Sequence, residues 1–321
     1  MRIDIEQTVQ LLRDMDNVLI LAHEHPDGDA IGSSCALCLA LISMGKKAQI
    51  CLEKMPPQLE YLTDGVPSGV FDYKYIVTCD TADTKILGIA DSGISRDSKI
   101  DLCIDHHYSN VLYAENTYLD SAAAGACEAM FDILKLLNID ITPKIAECMY
   151  VGIATDSGCF RYSNTTAKTL RTAAELLDLG VDNARVNHRQ FETKSKQLFE
   201  LEKSAISGMK LYFSDKCAVL IVSNAMITQN SAEFTDLSAL CSLPREIEGV
   251  LVGITMKEKK QGEFRISIRT NSPADASVIA RSLGGGGHKM AAACAISGTA
   301  EYATKVILDE VGAYLDREGL I

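Results

Sequence analysis

Tryptophan is absent from this chain, and phenylalanine and tyrosine supply only 6% of its 321 residues. A surface that grips a long single strand by stacking base after base needs aromatics along a basic groove, so that class of protein is disfavoured. Positive charge is also short: 31 Lys and Arg face 43 Asp and Glu, a formal net charge of −12. That balance disfavours coating long duplex DNA by general attraction. It leaves room for a small anionic ligand held by a metal ion and a few arginines. No apolar run is long enough to span a bilayer, so no membrane partner is expected. The opening Met1-Arg2-Ile3-Asp4-Ile5-Glu6 is too acidic and too little apolar for a signal peptide. The eleven cysteines are odd in number. Most sit inside apolar runs (Cys79, Cys103, Cys148, Cys217, Cys294) and read as small buried hydrophobes of a reducing compartment. A cytoplasmic location is expected. Cys35 and Cys38 form a C-x-x-C without a second pair, inside a helical apolar pattern, and carry no metal or redox reading.

The length suggests two domains, each able to bury its own core. The apolar run 18–22 reads as a buried strand, followed by Pro26 and Gly28 in a turn. Helices are expected at 5–16, 30–44 (stopped by Gly45), 122–137, 143–154 (capped by Thr142-Pro143) and 165–179 (closed by Gly180). Further strands are expected at 48–53, 75–79 and 100–104. This alternation indicates an α/β fold, a mostly parallel sheet with helices on both faces. Residues 183–209 are polar and helical in pattern. Beyond them 211–223 and 248–270 are β-rich, with helices expected at 231–241, 274–282 and 299–316, a smaller α+β domain. The boundaries so read are a first domain at 1–185, a helical connector at 186–208 and a second domain at 209–321.

Candidate chemistry clusters at strand ends. His23, His25, Asp27 and Asp29 fall within seven positions directly after the first buried strand. Asp80 follows the strand at 75–79, and Asp105-His106-His107 follows the one at 100–104. Asp156 ends a helix. Residues that follow parallel strands converge on one edge of the sheet, where such sheets bind ligands. So many carboxylates cannot sit together unpaired, and divalent cations resolve the conflict. Oxygen and imidazole donors without thiolate favour Mn²⁺ or Mg²⁺, with other divalent metals allowed. There are enough donors for two ions sharing a carboxylate, an arrangement suited to phosphoryl chemistry.

The second domain carries Arg281-Ser282-Leu283-Gly284-Gly285-Gly286-Gly287-His288-Lys289. Four glycines offer backbone N–H groups to an anionic oxygen, and a helix opening near His288 would add its N-terminal dipole. Residues 251–290 hold seven Lys and Arg against three Asp and Glu. Arg265 and Arg269 share a strand face.

These residues together resemble the DHH phosphoesterase family. The triplet is Asp105-His106-His107. The first motif is matched at His23, Pro26, Asp27, Asp29, Ala30, Gly32 and Ser33, the lone aspartates at Asp80 and Asp156. The Gly-Gly-Gly-His of the associated DHHA1 domain is matched at Gly285–His288. Length and layout look most like the NrnA-type oligoribonucleases, which also act on 3′-phosphoadenosine 5′-phosphate (pAp). The resemblance implies that His23 and Asp27 hold one metal ion. Asp29, His106 and Asp156 would hold the other, with Asp80 bridging. It implies that His107 contacts the scissile phosphate or assists the leaving group, and that Asp105 orients a neighbouring imidazole. Gly286, Gly287 and His288, with Arg269, would bind the substrate's phosphate or terminal nucleotide. His25 has no implied role. The implied reaction is attack of a metal-bridging hydroxide on short oligonucleotides, pApA or pAp, with Mn²⁺ as the first candidate cofactor and a homodimer as the implied assembly. The rival readings are a single-strand exonuclease on longer DNA or RNA, and a non-catalytic nucleotide sensor.

Overall fold

The computed structural model describes residues 1–89, 92–232, 237 and 240–321. The chain divides into two compact units, Met1–Thr193 and Lys194–Ile321.

In the first unit β1 (Arg2–Ile3) leads into α1 (Ile5–Asp14), which Asp4 opens with a reciprocal capping box with Gln7. Then come β2 (Val18–Leu21), α2 (Gly28–Ser43), β3 (Ala48–Ile50), β4 (Tyr75–Cys79), β5 (Leu102–Asp105) and β6 (Asn116–Leu119). The helices α3 (Ala126–Leu137), α4 (Pro143–Asp156), α5 (Ala167–Asp178) and α6 (Asn183–Asn187) follow. The six strands form one sheet in the order β1-β6-β5-β4-β2-β3, with every pairing parallel. All four residues of β2 are fully buried. Val18 and Ile20 face one core cluster, Leu19 and Leu21 another, as strand alternation requires when both faces are covered. Apolar nearly all round, α2 is accordingly buried along most of its length. It ends at Ser43, with Gly45 at φ +78° behind it.

The second unit begins with α7 (Lys196–Ser207) and continues with β7 (Lys210–Tyr212), β8 (Cys217–Val222), α8 (Asn224–Gln229), β9 (Val252–Lys260) and β10 (Glu263–Thr270). After these come α9 (Ala276–Ser282), β11 (Gly286–His288), β12 (Ala291–Ser297) and α10 (Ala300–Arg317). Its sheet runs β11-β12-β10-β9-β8-β7 and is mixed, with β8 and β9 parallel and the other pairs antiparallel. Val252, Ile254 and Met256 of β9 pack with α9 and α10. Leu220 and Val222 of β8 pack on the opposite face with Leu201 and Ala205 of α7. The helix expected at 231–241 falls largely outside the described residues.

The helix expected to open near His288 does not form. The Ala-rich stretch forms β12, paired along its length with β10 from Glu263↔Ser297 to Arg269↔Ala291. Gly286, Gly287 and His288 pair with it as edge strand β11. Alanine favours helix locally, but the open edge of β10 offers seven residues of ladder, and tertiary pairing overrides propensity. None of the eleven cysteines is in a disulfide. No helix among the described residues is long and apolar enough to cross a membrane.

Candidate metal centre

The sheet order reverses at β2. The chain leaves it for β3 on one side and returns to β4 on the other. Such a reversal opens a crevice at the carboxyl ends of the two strands. The loop after β2 and Asp80 after β4 both lie there. Asp27 caps α2, its Oδ1 accepting from the backbone N–H groups of Asp29 at 3.0 Å and Ala30 at 3.1 Å. His23 Nε2 stands 3.9 Å from Asp27 Oδ1 and 3.7 Å from Asp80 Oδ2. His25 is exposed and takes no part in these contacts.

Asp80 is nearly fully buried and holds φ +51°, in the left-handed region that aspartate tolerates better than most residues. Its Oδ1 is buried without a hydrogen-bond partner, although it lies 3.5 Å from His106 Nε2 and 3.4 Å from His107 Nδ1. His106 Nε2 in turn lies 3.9 Å from Asp29 Oδ2 and 3.5 Å from Asp156 Oδ2. Two sets of three donors result, His23/Asp27/Asp80 and Asp29/His106/Asp156. Within each set the donor atoms lie within 4.8 Å of one another. A third set, Asp80/His106/His107, overlaps both, but His107 Nδ1 is engaged by Asp105 Oδ1 at 2.8 Å.

Burial and the neighbouring Asp80 charge push the Asp29 carboxyl up to about 7. Burial and Asp29 raise Asp156 to about 8. Burial alone would lower the two imidazoles. Asp80, Asp29 and Asp156 outweigh it at His106, which rises to about 10, and Asp105 and Asp80 do so at His107, which rises to about 9. The protein alone thus holds protons where cations would otherwise balance the charge. An orphaned buried carboxylate oxygen set among imidazole nitrogens fits the same conclusion. No thiol belongs to any of the three sets, and a donor set of oxygen and imidazole suits hard or borderline divalent cations.

Asp29 is fixed from behind. Its Oδ2 accepts from the Ala126 N–H at 2.5 Å and its Oδ1 from the Cys127 N–H at 2.9 Å, so it sits on the N-terminus of α3. Gly125, which has no side chain to cap that helix, is the N-cap residue. A Cβ on Gly125 would lie 2.8 Å from Asp29 Oδ2. One on Gly152 of α4 would lie 2.2 Å from Cys127 Sγ and 2.8 Å from Asp29 Oδ1. Asp105 is fully buried and serves the loop behind it. Its Oδ1 accepts from the backbone N–H groups of His106 and His107 as well as the His107 ring, and its Oδ2 from Asn110 Nδ2 at 2.6 Å. The sequence reading missed Gly125, Gly152 and Asn110. Only Asn110, three positions beyond His107, carried a local signal.

In the second unit Gly286, Gly287 and His288 are exposed on edge strand β11. Gly287 has φ +143°, and a Cβ there would lie 2.5 Å from Ala292 Cα. Its bare backbone is therefore required by the close approach of β12. Gly286 faces open space. Arg269 is half-buried on β10, opposite Ala291, with Nη1 donating to the Ile268 carbonyl.

Residues 17–153 match the family model of the DHH family, N-terminal domain, and residues 215–316 match that of the DHHA1 domain. The chain is 31% identical over 315 residues to the bifunctional oligoribonuclease and PAP phosphatase NrnA of Thermus thermophilus, covering 95% of this chain and 92% of that one. It is 26% identical over 302 residues to the NrnA of Bacillus subtilis, covering 92% and 93%. An exopolyphosphatase-related protein from Bacteroides fragilis has the same fold, with a TM-score of 0.86 at 23% identity over 97% of this chain and 96% of that one. On its matched domains, and on that identity over nearly its whole length, the chain belongs to the DHH family and carries the DHHA1 domain that accompanies it.

Proposed function

We propose that this protein is a two-metal phosphoesterase of the cytoplasm that hydrolyses short oligoribonucleotides, pApA and pAp. The observation that carries the proposal is the pair of donor triads joined through Asp80. The oligoribonuclease and PAP phosphatase names of the two NrnA relatives support the choice of substrates, and eleven cysteines outside any disulfide support a reducing compartment. His23 and Asp27 would hold one divalent cation, Asp29, His106 and Asp156 the other, with Asp80 between them. Mn²⁺ is the first candidate, Mg²⁺ the second. Such cations would supply Lewis-acid charge to phosphate oxygens and lower the pKa of water.

The chain's own residues do the rest. Asp105 holds His107 by Nδ1, which leaves Nε2 to face the substrate. Against the lowering by burial, the hydrogen bond to Asp105 favours the charged imidazole, and a protonated His107 could hand its proton to the leaving oxygen. Asn110 holds Asp105 in turn. In the DHHA1 unit, Gly286 and Gly287 offer exposed backbone, and His288 and Arg269 side chains, to a phosphate or terminal nucleotide. The test is turnover of pAp, pApA and oligonucleotides of increasing length, each with Mn²⁺ and Mg²⁺. Divalent-dependent hydrolysis strongest on the shortest substrates is expected. Rates that climb with length would favour the exonuclease reading, and binding without turnover the sensor.

A further inference from the structure

Of the large apolar side chains exposed among the described residues, Tyr108 is the most exposed, at 87%. It directly follows His107. The loop that carries it is firmly tied down. Asn110 N–H donates to the His107 carbonyl, and the Val111 N–H to the Ala82 carbonyl. Asn110 Nδ2 donates to Asp105 Oδ2 and to the Thr81 carbonyl, and Asn110 Oδ1 accepts from the Leu112 N–H. Tyr113, five positions on, is packed inward, its hydroxyl 2.7 Å from Thr78 Oγ1 and 3.1 Å from the Thr81 carbonyl. Two tyrosines of one loop thus have opposite fates. One is built into the unit, and the other stands in water. Val111 and Leu112 of the same loop are 58% and 42% exposed. The backbone on either side of Tyr108 is held by these bonds, and in a chain with only 6% aromatic residues a ring directly after the candidate proton donor in sequence is not background.

We propose that Tyr108 is a specificity-determining residue of the DHH unit, a platform on which a nucleobase of the substrate stacks while its phosphate lies at the metal centre. This rests on the phosphoesterase reading above and deepens it, because it assigns the recognised part of the substrate to a base rather than to phosphate alone. Every base has a π-face, so the platform would accept different bases and favour purines by area. It is one platform, not a row of them, which suits substrates of one or a few nucleotides.

The test compares Tyr108→Ala, Tyr108→Leu and Tyr108→Phe with wild type on two substrates, pAp and the same ribose bisphosphate carrying hydrogen in place of the base. Base–aromatic stacking is worth about 1–3 kcal/mol, so Tyr108→Ala should raise KM for pAp by roughly five-fold or more. Tyr108→Leu should behave like Ala, and Tyr108→Phe like wild type. On the baseless compound all four proteins should have the same KM. An unchanged KM for pAp in Tyr108→Ala overturns the proposal. Equal losses on both substrates also overturn it, since they would mean that the substitution merely disturbs His107. A wild type that turns over neither these compounds nor pApA and short oligoribonucleotides overturns the phosphoesterase reading itself, an outcome distinct from either of these.

Discussion

The candidate metal centre and the glycine strand were both legible as motifs, yet the two units build them in opposite ways. In the first unit the polar groups lie at the ends of an all-parallel sheet. Asp29 and Asp105 are fully buried, each oxygen already committed to a backbone or side-chain donor. In the second unit Gly286, Gly287 and His288 lie exposed on an edge strand of a mixed sheet. Buried groups that are mutually dependent fail together, whereas exposed groups act singly and weakly. The first site should therefore govern turnover, and the second affinity.

The largest effect tests the first half of that contrast. Asp80→Ala removes the carboxylate that belongs to the His23 triad and reaches His106 of the other. Metal charge at a phosphoryl centre is worth several kcal/mol, so turnover should fall by about 10³-fold or more, with an unchanged circular dichroism spectrum. Mn²⁺-dependent activity near wild type in that variant would break the contrast at its root. Gly152→Ala comes next. Its Cβ would press on Cys127 and Asp29, and overpacking of this kind costs about 1–3 kcal/mol. Both the melting temperature and the midpoint of a metal titration should shift, and a shift in neither would show that the core around Asp29 yields freely.

Metal removal sharpens the contrast through pH. Asp29 and Asp156 are raised to about 7 and 8, so their protonated forms favour the fold, and stability is lost as pH rises from about 4 through those values. His106 and His107 are raised to about 10 and 9. Their contribution is complete below about 6.5 and is lost as pH climbs through those higher values. Both sets act in one direction, so protein stripped with a chelator should melt at progressively lower temperature from pH 5 to pH 9. Cations in place of the protons should flatten that slope. Asp27 and Asp105, which the protein holds low, act only at the acid end, below about pH 4. A slope that is the same with and without Mn²⁺ would detach the titrating groups from the metal centre. The smallest effect is His288→Ala, which should raise KM a few-fold and leave kcat alone. Loss of kcat there would make the exposed strand a partner in the chemistry.

What the sequence revealed followed from distance along the chain. The strands at 75–79 and after Ile100 are short apolar runs and the helix after Pro143 is a long one, and the motif residues sit at their ends. β1 escaped notice because two residues establish no pattern, and β6 because Asn116-Thr117 reads as loop, whereas β2, equally four residues long, is a continuous apolar run. β12 was misread as helix because its alanines express a local preference that its partner strand overrules. Gly125 and Gly152 gave no signal at all. What makes them glycines is a carboxylate whose backbone partners on α3 are 97 and 98 positions away in sequence.

That carboxylate carries a further implication, for how such a centre could decay. Asp29 stands on the first turn of α3 in place of the cap that Gly125 cannot provide, so the same two oxygens serve the fold and the candidate cation. An asparagine at 29 would turn an amide N–H₂ toward one of the two N–H groups it now accepts from. A lineage abandoning the chemistry could lose Asp156 or His23 at little structural expense, but hardly Asp29. In relatives that have stopped being enzymes, this aspartate should be the last of the set to disappear, outliving its catalytic reason as a fastening between two helices.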